Sequence, residues 1–217
     1  MRFTKMEGLG NDYIYLNGLD GLPEDLPGLA RRMSDRHFGV GSDGLICICP
    51  SDRADFKMQM FNADGSQGEM CGNGIRCFAK FCLDEGLVDG ECLAVETLAG
   101  PKMVTVASRD PFLAQVAMGK ADFSPESIGV EHSGPALDFP VPVEGKKILV
   151  DSFFMSTVHT VWFVKDPEDS QTQRIAGLIC ESPLYREKTN VNMVRVLNRH
   201  TIQMRTWERG VGMTLAC

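Results

Sequence analysis

The sequence predicts an α+β chain made of two similar domains, residues 1–118 and 119–217. Three observations predict it. Short apolar runs alternate with turn signals through the first half, as strands do, and strand-like runs resume after residue 146. Helical spacing is confined to a few segments, the clearest being Ile75, Phe78, Ala79 and Cys82 at i, i+3, i+4 and i+7. The two halves also repeat one another in order.

In the first half, residues 12–17 read as a strand after the Gly8-Leu9-Gly10-Asn11 turn. Residues 26–35 read as a helix, and 45–49 and 56–61 as strands. A helix starts near Gly72, and 103–106 with 113–118 form a closing hairpin. Residues 119–146 change character: Pro125, Pro135, Pro140 and Pro142 with several glycines predict a connecting segment with an edge strand. Strands resume at 148–150 and 159–164, a helix follows around 172–180, and strands at 191–197 and 201–207 end the pattern.

The repeat is specific. Gly10-Asn11-Asp12-Tyr13-Ile14-Tyr15 leads a strand, as Ser156-Thr157-Val158-His159-Thr160-Val161 does. Gln59-Met60 stands before Cys71 as Gln203-Met204 stands before Cys217, and both Asn11 to Cys71 and Thr157 to Cys217 span 60 residues. Gly68-Glu69-Met70-Cys71 is echoed by Gly212 through Cys217. Each domain thus ends a loop on a cysteine.

Composition narrows the function. The net charge of −7 argues against nucleic acid and anionic membranes as partners. No run approaches the ~20 apolar residues of a membrane span, and Met1 to Glu7 lacks a signal-peptide core, so the expected compartment is the cytoplasm. Eight cysteines in a reducing compartment read as thiols, without a CxxC pair. Cys47 and Cys49 share one strand face and read as core, as do Cys77 and Cys82 on the apolar helix face. No metal site is expected. Gly39-Val40-Gly41-Ser42-Asp43-Gly44 fits GxGxxG but precedes a strand and opens no helix, so it is not read as a dinucleotide loop. His37, His132 and His200 carry no informative spacing, and His159 on residue type alone reads as a satisfied strand histidine.

Met70-Cys71-Gly72-Asn73-Gly74-Ile75-Arg76 carries the chemistry. A cysteine just before a helix start meets unpaired amides and the positive dipole end, which favour a thiolate. The same amides bind a carboxylate, and glycines let a ligand approach the backbone. Inverting a stereocentre by proton transfer needs one base on each face of the carbon, with fixed donors for the charge that develops on the carboxylate. Two similar domains, each offering a cysteine at a shared cleft, meet that demand.

The motifs Gly8-Leu9-Gly10-Asn11-Asp12, Phe61-Asn62-Ala63-Asp64-Gly65-Ser66, Met70 to Cys77, Thr189-Asn190-Val191-Asn192 and Glu208-Arg209-Gly210 to Ala216-Cys217 resemble, in order and over the whole length, the diaminopimelate epimerase family. The resemblance implies an isomerase that interconverts LL- and meso-2,6-diaminopimelate for lysine and peptidoglycan precursors, without pyridoxal phosphate, metal or other cofactor. It implies two pseudo-symmetric domains, each with strands wrapped around a central helix. It makes Cys71 and Cys217 the acid/base pair, with His159 assisting Cys71 and Glu208 assisting Cys217. Asn11, Asn62, Asn190 and Arg209 would contact the substrate, with the backbone at Gly72 and Asn73 on the reacting carboxylate. The implied partner is a small amino acid, with no nucleic acid or membrane, and a homodimer is compatible with it.

Three departures stand out. The family has Gly-Asn-Pro-His where this chain has Ser156-Thr157-Val158-His159, which bears on recognition of the distal end of the substrate. Met213 stands where the family usually has glutamate. The sequence ends at Cys217, where the family continues with a glycine-threonine-rich helix start. The second domain is therefore expected to be incomplete and unable to wrap a core, and a terminal carboxylate beside Cys217 disfavours its thiolate. Little activity is expected of such a chain. The competing readings are a racemase or epimerase of another amino acid, favoured by Thr157, and an inactive homologue that only binds.

Overall fold

The computed structural model describes residues 1–215. Its chain divides into two compact units, Met1–Met118 and Gly119–Cys217.

The first unit opens with β1 (Thr4–Gly8) and β2 (Asn11–Asn17), an antiparallel hairpin. Leu9 and Gly10 between them both take positive φ, 58° and 85°, the tight turn whose twist suits a two-residue hairpin. Helix α1 (Leu26–Ser34) crosses over to β3 (Gly44–Cys49), which lies parallel to β2. Asp25 caps α1 by accepting from the Gly28 N–H at 2.7 Å. β4 (Phe56–Asn62) runs antiparallel to β3, and β5 (Gln67–Gly68) folds back on β4. After α2 (Gly72–Asp84) come β6 (Cys92–Glu96), parallel to β4, and the hairpin of β7 (Lys102–Arg109) and β8 (Phe112–Val116).

Strand β3 shows how this unit is built. All six of its residues are buried, because a helix covers each face. Ile46 and Ile48 pack with Ile75, Phe78 and Cys82 of α2. Leu45, Cys47 and Cys49 pack with Leu29 and Ala30 of α1. The two-residue period of a strand sorts alternate side chains into two cores. Helix α2 also packs against β1, β2, β7 and β8, so the sheet curls around it. The strands of this unit wrap a central helix, as expected. A Cβ at Gly74 would lie 2.7 Å from the Ile46 Cδ1, so glycine is what lets the first turn of α2 rest on β3.

The second unit contains α3 (Pro125–Ile128), β9 (Phe139–Val143), β10 (Lys146–Phe154), β11 (Val158–Phe163), α4 (Ser170–Cys180), β12 (Asn190–Asn198), β13 (Thr201–Glu208) and β14 (Gly212–Thr214). Its sheet runs in the order β14-β13-β12-β11-β10-β9. The proline-rich stretch from 119 to 146 does hold an edge strand, β9, where Pro140 and Pro142 are tolerated because an edge leaves ladder positions unused. It is more than a connection, however. Ile128, Val130, Ala136, Phe139, Val141 and Val143 from this stretch are buried in the unit's core.

From β1 to β5 the first unit runs strand, strand, helix, strand, strand, strand, and β10 to β14 with α4 repeat that order. In both, the helix follows the second strand and the next strand returns parallel to it. Helix α4 sets Ala176, Ile179 and Cys180 against Val191, Met193 and Trp207, on the face equivalent to the one α1 covers. The expectation that the second unit has no core is therefore corrected, since α4 and the segment around β9 enclose one. The opposite sheet face carries the polar side chains His159, Asn192 and Thr206, and beyond them Phe163, Val196 and Ile202, each about three-fifths exposed (60%, 59% and 58%).

The buried Phe78 and the exposed Phe163 predict different tolerance. Phe78→Ala should lower the unfolding free energy by about 3–5 kcal/mol, and Phe163→Ala should change it by less than about 0.5 kcal/mol. Urea melts of the two variants measure this; equal losses would mean that α2 does not centre the first core.

Candidate active site

Cys71 is the N-cap of α2 in extended backbone, φ −126° and ψ 120°. Its sulfur accepts the Gly74 N–H at 3.3 Å, one of the donors that a helix start leaves without an internal partner. The thiol in turn donates to Asn11 Oδ1 at 3.1 Å. Asn11 begins β2, so the tight β1–β2 turn is what delivers its amide to the helix start.

Behind Asn11 lies an ionic cluster. The Asn11 amide donates to Asp43 Oδ2 at 2.6 Å, and the Asp12 N–H donates to the same oxygen at 3.1 Å. Arg36 holds Asp43 Oδ1 at 3.0 Å and grips both oxygens of Asp12 at 2.7 and 3.2 Å. Lys5 sits 3.0 Å from Asp12. Burial works to raise the Asp12 carboxyl, but the hydrogen bonds and charges of Arg36 and Lys5 outweigh it and bring it down to about 2. Tyr13, next along β2, is pushed far up by burial first and by neighbouring Cys71 second, so it stays a neutral phenol.

The helix start itself is braced. Arg76 donates to the Gly72 carbonyl at 2.9 Å and to Asn73 Oδ1 at 2.6 Å, and Tyr15 OH donates to the Gly74 carbonyl at 2.9 Å. Among the described residues, a Cβ added at Gly72 would touch only the Met118 methyl, at 3.9 Å. Asn62 lies at the end of β4, with its amide donating to the Ser66 hydroxyl at 2.9 Å.

The second unit gathers His159, Asn190, Glu208 and Arg209. His159 on β11 pairs in register with Asn190 on β12, and its ring stacks on Phe153 at 5.7 Å. The Thr206 hydroxyl donates to Asn192 Oδ1 at 3.0 Å. The Asn192 side-chain nitrogen lies 3.4 Å from the His159 Nδ1. Burial first, and the Arg209 charge second, lower the His159 pKa to about 4. Asn190 Oδ1 accepts the Arg209 N–H at 3.0 Å, and Arg209 Nη1 donates to the Glu187 carbonyl at 3.1 Å. Glu208 Oε1 accepts from the Thr214 hydroxyl at 3.3 Å. Cys217, expected as the second cysteine of the pair, lies outside the described residues.

Sequence reasoning missed Asp43, Tyr13 and Asn192. Asp43 stands inside the GxGxxG-like stretch, which is a loop running into β3 and opens no helix. Asn192 could have been found, because it shares a strand face with Asn190 in a motif already singled out. Met213 packs into the hydrophobic cluster under α4. The Ser156 and Thr157 hydroxyls are buried and have no hydrogen-bond partner among the described residues, and Ser156 holds φ at +63°.

The family model described as diaminopimelate epimerase matches residues 3–124 and 153–217. The chain belongs to the diaminopimelate epimerase family. The unmatched residues, 125–152, fall largely on the segment of α3 and β9. A diaminopimelate epimerase of Acetivibrio thermocellus is 45% identical over all of this chain and 79% of its own length. One from Methanococcus maripaludis strain C5 is 41% identical with the same coverage. Among solved structures, a probable proline racemase from Agrobacterium radiobacter superposes with a TM-score of 0.70 at 16% identity, covering 99% of this chain and 72% of that one. A hydroxyproline epimerase from Agrobacterium vitis gives 0.67 at 13% identity, covering 99% and 72%. At such identities these two show the shared fold alone.

The half-buried imidazole has a measurable consequence. Its folded pKa of about 4 lies below the ordinary 6.5. Unfolded chain therefore takes up a proton that folded chain refuses, so this residue makes stability fall as pH drops from about 6.5 to about 4, with no further loss below. NMR titration of the His159 ring should give a midpoint near 4, and His159→Phe should flatten that part of the stability–pH curve. A midpoint near 6.5 would contradict the burial and the nearby Arg209 charge as causes.

Proposed function

We propose that this protein interconverts LL- and meso-2,6-diaminopimelate by two-base proton transfer, using Cys71 on one face of the α-carbon and Cys217 on the other. The observation that carries the proposal is Cys71 at the start of α2, with a bond from a helix amide and one to Asn11. In one direction the Cys71 thiolate takes the α-proton and becomes a thiol. The Cys217 thiol returns a proton from the opposite side and becomes a thiolate, so the net proton count is unchanged. The carboxylate gains negative charge in between, and the amides of Gly72 and Asn73 at the positive helix end would take it up.

His159 would serve beside Cys71 as a neutral ring, and Glu208 beside Cys217. Asn11, Asn62 and Asn190 offer both donors and acceptors to the amino acid, and the Arg209 fork suits a distal carboxylate. We further place the reaction in the cytoplasm, in lysine and peptidoglycan-precursor synthesis, with no cofactor needed and a homodimer compatible with it. No helix of the described residues is long and apolar enough to cross a membrane.

A second reading, an epimerase of another amino acid, is favoured by one specific observation: Thr157 replaces the expected asparagine, and its hydroxyl and that of Ser156 are buried without partners among the described residues. The test is deuterium incorporation at the α-carbon from D₂O over a panel of amino acids. Diaminopimelate should exchange fastest, and Cys71→Ala should lose at least about a hundredfold in rate. Faster exchange with another amino acid would select the second reading, and retained exchange in Cys71→Ala would end the two-cysteine mechanism.

A further inference from the structure

We infer that Asp43 is a positioning residue: it fixes which end of the Asn11 amide faces Cys71. The inference deepens the proposed role of Cys71 and rests on that reading. A carboxylate oxygen only accepts hydrogen bonds, so Asp43 Oδ2 at 2.6 Å must face the Asn11 NH₂. Oδ1 then faces the sulfur at 3.1 Å, where it accepts from the thiol and offers nothing to a thiolate. The opposite amide orientation would donate to the sulfur and favour the thiolate. Arg36 holds Asp43 from behind and the Asp12 N–H holds it from the side, so the carboxylate cannot turn away. The consequence is a Cys71 that keeps its proton longer than the helix start alone would allow, as a group that must also act as an acid requires.

The other titratable groups around Cys71 within the first unit are Tyr13 and Tyr15 on β2 and Cys77 on α2, with Glu7 of β1 and Arg76 acting on Cys77. Asp43 also carries its own charge, which by itself disfavours a thiolate nearby. A double-mutant cycle separates charge from amide orientation.

The readout is the pH dependence of Cys71 alkylation by iodoacetamide in the full chain. It is followed by mass spectrometry of the tryptic fragment from Met58 to Arg76, in which Cys71 is the sole cysteine. In the parent chain, Asp43→Asn should lower the alkylation midpoint by about one pH unit, because the freed amide turns to donate to the thiolate. In an Asn11→Ala background, where there is no amide to turn, the same substitution should move the midpoint clearly less. An equal or larger shift in the Asn11→Ala background would reduce Asp43 to a simple charge, and no shift in either background would remove it altogether; both overturn the inference. Asp43→Ser, whose hydroxyl can donate or accept, replaces Asp43→Asn if that variant does not fold. Alkylation reports on Cys71 whether or not it is catalytic. A shifted midpoint with exchange retained in Cys71→Ala would therefore refute the proposed mechanism and leave the positioning role standing.

Discussion

The contact of the first turn of α2 with β3 is what the rest of the first unit depends on. Gly74 allows it, since any side chain there would meet Ile46. With α2 seated, the sheet can curl around it, and both faces of β3 become core. The same seating points the start of α2, with its unpaired amides and Cys71, toward the turn that carries Asn11. Fold and site therefore share one cause. A helix that stood further from the sheet would lose apolar contact and would also move the cysteine from its partner.

Both units set an asparagine beside a candidate site residue. In the first, Asn11 lies between Asp43 and Cys71; in the second, Asn192 lies between Thr206 and His159. The carboxylate of Asp43 can only accept, whereas the Thr206 hydroxyl can donate or accept. Burial adds to both, holding Tyr13 protonated and His159 unprotonated at neutral pH. Within the first unit the charged cluster of Lys5, Asp12 and Arg36 sits behind Asn11, where Asp12 stays ionised.

The second unit repeats the strand and helix order of the first but differs in what covers its sheet. Helix α4 and the segment around β9 cover one face. On the other, polar residues at one end give way to exposed apolar ones toward Phe163 and Ile202. The repeat was visible in the sequence as equal spacings around Asn11 and Thr157. The contribution of β9 and α3 was hidden, because prolines break the apolar period that reveals a strand or helix while leaving its side chains free to pack.

By itself, the sequence determined the principal strands and helices, the repeat, the helix start at Gly72 and the motifs that carry the family. These are local: turn residues, apolar periods and short runs of specific residues encode them directly. It also marked Cys71, Asn11, His159 and Arg209 as site residues through the family motifs. Only the tertiary structure decided which way the Asn11 amide points, why His159 resists protonation, and that Asp43 stands behind the first cysteine. Those facts depend on contacts between residues far apart in the chain, on burial, and on which partner can only accept a hydrogen bond. None of these is written in the order of residues along one strand.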